Sequence, residues 1–154
     1  MGKVQTNFNS FIPGAISRSI DDVVQYYANV GTADIAFGDP VFYKAAAKGI
    51  VGHSDAAASA NTFIGFAVRH PAQTPEEYGS GEAVYQPGDM VSVLVRGSIC
   101  VNIVSAATVG APVYMDANGK ITGSSTSTTA IPNTVFRTVA YPKAEIVVTK
   151  RTMS

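Results

Sequence analysis

The sequence has few charged side chains and no excess of either sign. Charged residues make up 14% of the 154-residue chain, with 11 basic and 11 acidic side chains, against about 25% in an average soluble domain. A neutral, charge-poor chain repels other molecules weakly, and low net charge favours association. This composition fits either a chain that is packed against partners or a low-charge domain whose surface carries Ser, Thr, Gly and Asn. Nucleic-acid binding is not favoured, because the basic residues form no excess and are spread along the whole length.

Cysteine and long apolar runs are also scarce. The single cysteine, Cys100, excludes an intrachain disulfide, and in an apolar strand it acts as a small hydrophobic residue. No apolar run approaches the roughly 18 residues of a membrane span, and residues 1–5 lack the apolar core of a signal peptide. We therefore expect a protein made and kept in the cytoplasm, without a membrane partner.

Catalytic and cofactor-binding motifs are absent from the sequence. The two histidines, His53 and His70, lie in no motif, and there is no Gly-x-Ser-x-Gly elbow, Walker loop or Gly-x-Gly-x-x-Gly. Asp39 and Asp89 share a Gly-Asp turn context, which favours carboxylates that cap their own turns over a pair that meets on one ligand. We predict no catalytic residue, no cofactor and no metal.

From about residue 34 onward, short apolar runs alternate with glycine and proline. Asn118-Gly119 is the strongest hairpin signal, and Gly65 inside an apolar run indicates a bulge or a close backbone contact. The spacing predicts a mainly β fold, a small antiparallel β-barrel or β-sandwich. The runs are residues 41–44, 49–53, 62–69, 91–96, 99–104, 112–115, 120–122, 135–140 and 144–148.

A loose repeat places one glycine before a strand and a second glycine after it. This arrangement predicts three hairpins in which the first glycine adopts a positive φ. The three pairs are Gly38 and Gly49, Gly88 and Gly97, and Gly110 and Gly119.

Residues 1–33 are polar and irregular, and their aromatic residues follow no helix or strand period. We predict an N-terminal arm, extended or partly helical, that docks on a partner, followed by a β domain over residues 34–154. Within the arm, Ser19 suits a helix N-cap and Asp21 suits a first turn, whereas Val23 and Val24 prefer a strand. Both alternatives stay open.

The order of these elements resembles the structural cement, or decoration, proteins that bind the outside of tailed-phage heads. The resemblance runs from about residue 10 to 149. It rests on the arm with Pro13-Gly14 and on residues 35–42 (IAFGDPVF), 63–67 (FIGFA), 85–97 (YQPGDMVSVLVRG) and 110–114 (GAPVY).

This resemblance implies a structural protein without enzymatic activity. It would form a homotrimer near local three-fold axes and sit on the outer capsid surface of the virion, after synthesis in the host bacterial cytoplasm. Its partner would be the phage major capsid protein, whose neighbouring subunits it would bridge to stabilise the expanded, DNA-filled head. We predict capsid contacts at Phe8, Phe11, Ile12, Pro13 and Arg18.

Three other functions are compatible with the residues. A β-barrel module of a phage tail or surface accessory would bind a glycan or peptide on a platform formed by Tyr43, Tyr78, Tyr85 and Tyr114. A small hydrolase or isomerase would need either histidine to meet a carboxylate in a cleft. A self-assembling coat or tube subunit would polymerise without any capsid.

Overall fold

A computed structural model describes residues 13–69 and 84–149. The described residues contain strands and turns but no helix, which confirms the predicted mainly β fold. The strands are β1 (Ile16–Ala28), β2 (Ile35–Ala36), β3 (Pro40–Lys44), β4 (Gly49–Val51), β5 (Phe63–Ala67), β6 (Val84–Tyr85), β7 (Met90–Asn102), β8 (Pro112–Met115), β9 (Ile121–Thr122), β10 (Thr129–Ala140) and β11 (Lys143–Val148).

Nine strands form one antiparallel sheet that curls into a half-barrel. The order is β4-β3-β5-β7-β11-β10-β8-β9, and β1 also pairs with β7. Isolated parallel bridges tie the sheet further, from Asn29 to Ile50 and from Ile103 to Ile121. Strands β2 and β6 form a separate two-stranded ribbon.

Strand β7 is the centre of the sheet. Val93 pairs with Gln25 of β1 and Ala67 of β5, so β7 lies between these strands. Farther along, Ile99 pairs with both β1 and β11. The predicted hairpin at Gly97 is wrong: this glycine, at φ 129°, stays inside β7 and pairs with Val148. Glycine tolerates that φ without ending the strand.

The other two predicted hairpins are confirmed. Strands β3 and β4 pair directly, as do β8 and β9. In the second hairpin, the Asp116 carboxylate accepts hydrogen bonds from the backbone N–H groups of Asn118 and Lys120, each at 2.9 Å. Gly119 has φ 77° and lies against the His53 ring, so the hairpin tip meets the chain just beyond β4. The two ends of the strand order therefore come together at this contact.

Several strands are buried on both faces. Phe42 and Val51 belong to the main core inside the curl, whereas their neighbours Val41 and Ile50 belong to a second core. The β2–β6 ribbon contributes Ile35 and Tyr85 to that second core. Strands that are covered on both faces need near-continuous apolar sequence, which explains the unbroken apolar runs of β3 and β4.

Residues 16–28 of the predicted arm form β1. Residues 24–28 pair with β7 in regular register, after irregular pairing nearer the start of the strand. Of the two alternatives left open for residues 19–24, the strand is correct. The division between an arm ending at residue 33 and a β domain stays a prediction.

Candidate binding surface

A groove of about 400 Å³ lies where the described chain begins. Its walls come from three places: the residues just before and at the start of β1, the later part of β1, and the residues just after β5 with the facing part of β7. The lining residues are Gly14, Ala15, Ile16, Val24, Tyr26, Val68, Arg69 and Ser92.

Backbone hydrogen bonds fix the chain at the base of the groove. The Gly14 N–H donates to the Cys100 carbonyl at 2.8 Å, and the Arg69 N–H donates to the Gly14 carbonyl at 2.9 Å. The Cys100 N–H donates to the Ala15 carbonyl at 2.9 Å. Gly14 has φ 85°, and an added Cβ would lie 2.9 Å from the Phe37 Cβ. This part of the predicted arm is therefore held against two parts of the body, β7 and the residues just after β5.

Exposed apolar side chains continue from the groove. Tyr26 is 67% exposed and Met90 is 60% exposed. Tyr26 pairs with Ser92 and Met90 pairs with Ala28, so Tyr26 and Met90 are diagonal neighbours on one face of the sheet. Exposed apolar residues beside a groove are typical of a protein-binding surface. We call Tyr26, Met90 and the groove the β1 surface.

The structure describes two of the five predicted capsid contacts. Pro13 is half-buried and packs against Gly38. Arg18 lies in β1 opposite Ser98. Phe8, Phe11 and Ile12 lie outside the described residues. The predicted contact set therefore stays a prediction, with Pro13 located at the edge of the body.

The two aspartates of the Gly-Asp turns have different surroundings. The Asp89 carboxylate accepts a hydrogen bond from the Gln86 N–H at 2.8 Å, as predicted for a residue that caps its own turn. Asp39 is half-buried, and the loss of water around it raises the pKa of its carboxyl to about 6, although the Lys120 charge acts in the opposite direction. Asp89 therefore caps its own turn, whereas Asp39 is distinguished by its burial.

The tyrosines of the binding-module hypothesis differ in their burial and in their contacts. Tyr85 lies in the second core and donates a hydrogen bond to the Val68 carbonyl. Tyr43 is half-buried and contacts Tyr27 edge to face, with ring centres 6.2 Å apart. Tyr114 is half-buried in β8, and Tyr78 lies outside the described residues. Because Tyr85 is buried, it is not available as part of an exposed binding platform.

Chemically reactive groups in the described part of the chain are few and scattered. Residues 13–69 and 84–149 contain no group of three His, Cys, Asp or Glu side chains that could hold a metal ion. His53 lies against Gly119, and His70 is outside the described residues. Cys100 is buried, and burial raises the pKa of its thiol to about 11. None of the described residues belongs to a helix with the length and apolarity needed to cross a membrane.

Comparisons with known proteins find a family model and a solved structure that match this chain. A family model described as "Structural cement protein (E217 gp24/Pam3 gp6)" covers residues 2–150. The chain belongs to this family of phage cement proteins. The cement protein is also similar to a chain in the solved structure called "The capsid of Myoviridae Phage XM1", with a TM-score of 0.73 and 20% sequence identity over 96% of each chain. A search of curated proteins finds no match.

Family membership confirms the resemblance predicted from the sequence and supports a structural role at a phage capsid. The likeness to the XM1 chain, at 20% identity, shows that the fold is shared. Sequence reasoning missed the β1 surface. Tyr26 and Met90 lie in apolar runs like those of the core, and only the structure shows that these two side chains are exposed.

Proposed function

We propose that this cement protein binds the outer surface of the expanded phage head and bridges neighbouring major capsid protein subunits. The proposal is carried by the family match, which spans residues 2–150. The role is mechanical and not enzymatic, and the active form is a homotrimer made in the host bacterial cytoplasm. Residues 1–33 act as the arm and residues 34–154 as the body.

Both the arm and the β1 surface contact the capsid. Phe8, Phe11, Ile12, Pro13 and Arg18 contact the capsid. Tyr26, in the part of the arm that forms β1, and Met90 of the body extend that contact. Because Gly14 is bonded to both Cys100 and Arg69, a pull on the arm is passed directly into the sheet. The contacts are mainly apolar in a chain of zero net charge, so binding to heads depends little on salt.

Binding stabilises the head through linkage. A protein that binds the expanded shell and not the disrupted one adds about 2.7 kcal/mol per site when its free concentration is 100 times Kd. A site shared between two subunits adds this stabilisation at the boundary where they would separate.

The test mixes purified protein with expanded heads that lack it, and measures occupancy and the temperature of head disruption. The wild type should saturate the heads and raise that temperature. Tyr26→Ser should bind more weakly, and the matched control Tyr141→Ser, which changes a tyrosine with 59% exposure, should bind normally. A double variant, Phe8→Ser with Phe11→Ser, tests the arm in the same way.

Heads that remain bare with the wild type would refute the proposed function. Heads that saturate without any rise in disruption temperature would refute stabilisation while leaving binding intact. Equal binding by the Tyr26→Ser variant and the wild type would remove the β1 surface from the contact.

A further inference from the structure

Two long stretches of the sequence carry no charge at all. Residues 103–115 and 121–136 contain no Asp, Glu, Lys, Arg or His. They are separated only by the tip of the β8–β9 hairpin, which carries Asp116 and Lys120. Both stretches follow the C-terminal end of β7.

The fold places the loops of these two stretches side by side. The Val104 N–H donates to the Ile121 carbonyl at 3.0 Å, and the hydroxyls of Ser105 and Thr122 share a hydrogen bond. A Cβ added to Gly123 would lie 2.8 Å from the Ala107 Cβ, so the two loops are in direct contact. Together, residues 104–111 and 123–129 form one continuous surface, which we call the uncharged face.

The uncharged face is exposed and partly apolar. Val109 is 62% exposed and Val104 is 49% exposed, and Ala106 between them is also exposed. Residues 124–127 in the second loop are exposed as well. Small side chains such as Ser, Thr, Ala and Val lose little conformational entropy when a partner covers them, unlike Lys, Arg or Glu.

The absence of charge indicates what covers this face. The buried centres of protein interfaces are depleted of charged residues. Close to a rotation axis a residue lies near its own copies, so a charge there faces the same charge, whereas contacts farther from a three-fold axis join two different patches. A different protein imposes no such restriction, because it can present a charge of opposite sign. A face free of charge over both loops therefore fits copies of the same chain that meet close to a rotation axis.

We propose that the uncharged face is the self-association surface through which copies of the cement protein pack around a rotation axis. This rests on the homotrimer of the proposed function and assigns its contact. The exposed residue Met90 of the β1 surface is separate from the uncharged face, since Met90 begins β7 whereas that face follows Asn102 at the other end of the strand.

Charge insertion tests this assignment. Val109→Glu places like charges around the axis, and Met90→Glu is the matched control, because the two side chains are 62% and 60% exposed. Sedimentation equilibrium over a range of concentrations should give a trimer for the wild type and for Met90→Glu. For Val109→Glu the concentration at half dissociation should rise at least about tenfold. Ser125→Glu in the second loop should act in the same direction.

Circular dichroism and thermal unfolding confirm that each variant is folded before its mass is measured. A wild type that stays monomeric, or Val109→Glu and Ser125→Glu variants that stay trimeric, would overturn the assignment. Trimeric variants that no longer bind heads would instead make this face a capsid contact. A wild-type trimer that leaves heads bare would refute the proposed function and leave the self-association surface standing, so the two failures are distinguishable.

Discussion

Gly65 lies at the point where β5 runs closest to β7, and replacing it with alanine should destabilise the fold markedly. An added Cβ would overlap the Leu94 carbonyl oxygen and come within 2.8 Å of the Val93 Cγ1. The Leu94 carbonyl belongs to a strand paired on both sides, so it cannot rotate away as a flexible side chain would. Relief therefore requires β5 and β7 to move apart.

The size of the effect follows from two opposing contributions. Overpacking a well-packed core costs about 1–3 kcal/mol, and a clash with fixed backbone belongs at the upper end of that range. Alanine recovers roughly 0.5–1 kcal/mol because glycine is unfavourable within a strand. The net loss in free energy of unfolding is then about 2 kcal/mol, which lowers Tm by about 4–8 °C for a chain of this length.

Gly88→Ala is the matched control, because it makes the same glycine-to-alanine change at a position where the added Cβ meets no other atom. Gly88 has φ 93°, and nothing lies within 4 Å of an added Cβ. Its cost is only that of a left-handed backbone conformation, about 1 kcal/mol. Both variants should be unfolded by heat and by denaturant at one protein concentration, since association makes Tm depend on concentration. If Gly65→Ala proves no more destabilising than Gly88→Ala, the close approach of β5 to β7 is not as described.

Three further outcomes are expected. Burial raises the pKa of Asp39 from 3.8 to about 6, so the wild type should lose stability relative to Asp39→Asn as the pH rises from about 4 to 6. The difference should reach at most about 3 kcal/mol in denaturant titrations, and a constant difference across that range would contradict the burial of this carboxyl. Cys100, which is 4% exposed with its pKa raised to about 11, should resist a thiol reagent at pH 8 until the protein is unfolded, so rapid labelling of the folded protein would argue against the packing around it. Gly119→Ala should be destabilising because the added Cβ would overlap the His53 ring, and the same change should cost less in a His53→Ala background, whereas purely additive effects in the double-mutant cycle would exclude the contact.

Much of the fold could be predicted because turns and strands carry local signals. Asn118-Gly119 predicted the β8–β9 hairpin, and the three glycines placed before strands, Gly38, Gly88 and Gly110, all adopt positive φ as expected. The predicted break at Gly97 failed because a glycine with positive φ is compatible both with a turn and with an irregular strand. Only the long-range pairing of β7 with β1 and β11 decides between them.

The candidate surfaces were harder to predict, for a physical reason. A catalytic site needs particular side chains at particular spacing, whereas a docking surface needs only exposure and complementary shape. Tyr26 and Val109 do not differ in type from core residues such as Tyr85 and Val113. Their exposure depends on which strands cover them, which is a property of the assembled sheet and not of the local sequence.

The position of β7 also determines how the molecule responds to force. Its 13 residues are bonded to β1, β5 and β11. Inter-strand hydrogen bonds in antiparallel pairs lie perpendicular to the strands, so tension applied along β7 shears many of them at once. A hairpin pulled open at its end, such as β8–β9, breaks its bonds one after another. Tension between Met90 and the uncharged face, which adjoin opposite ends of β7, therefore loads the bonds of β7 in shear.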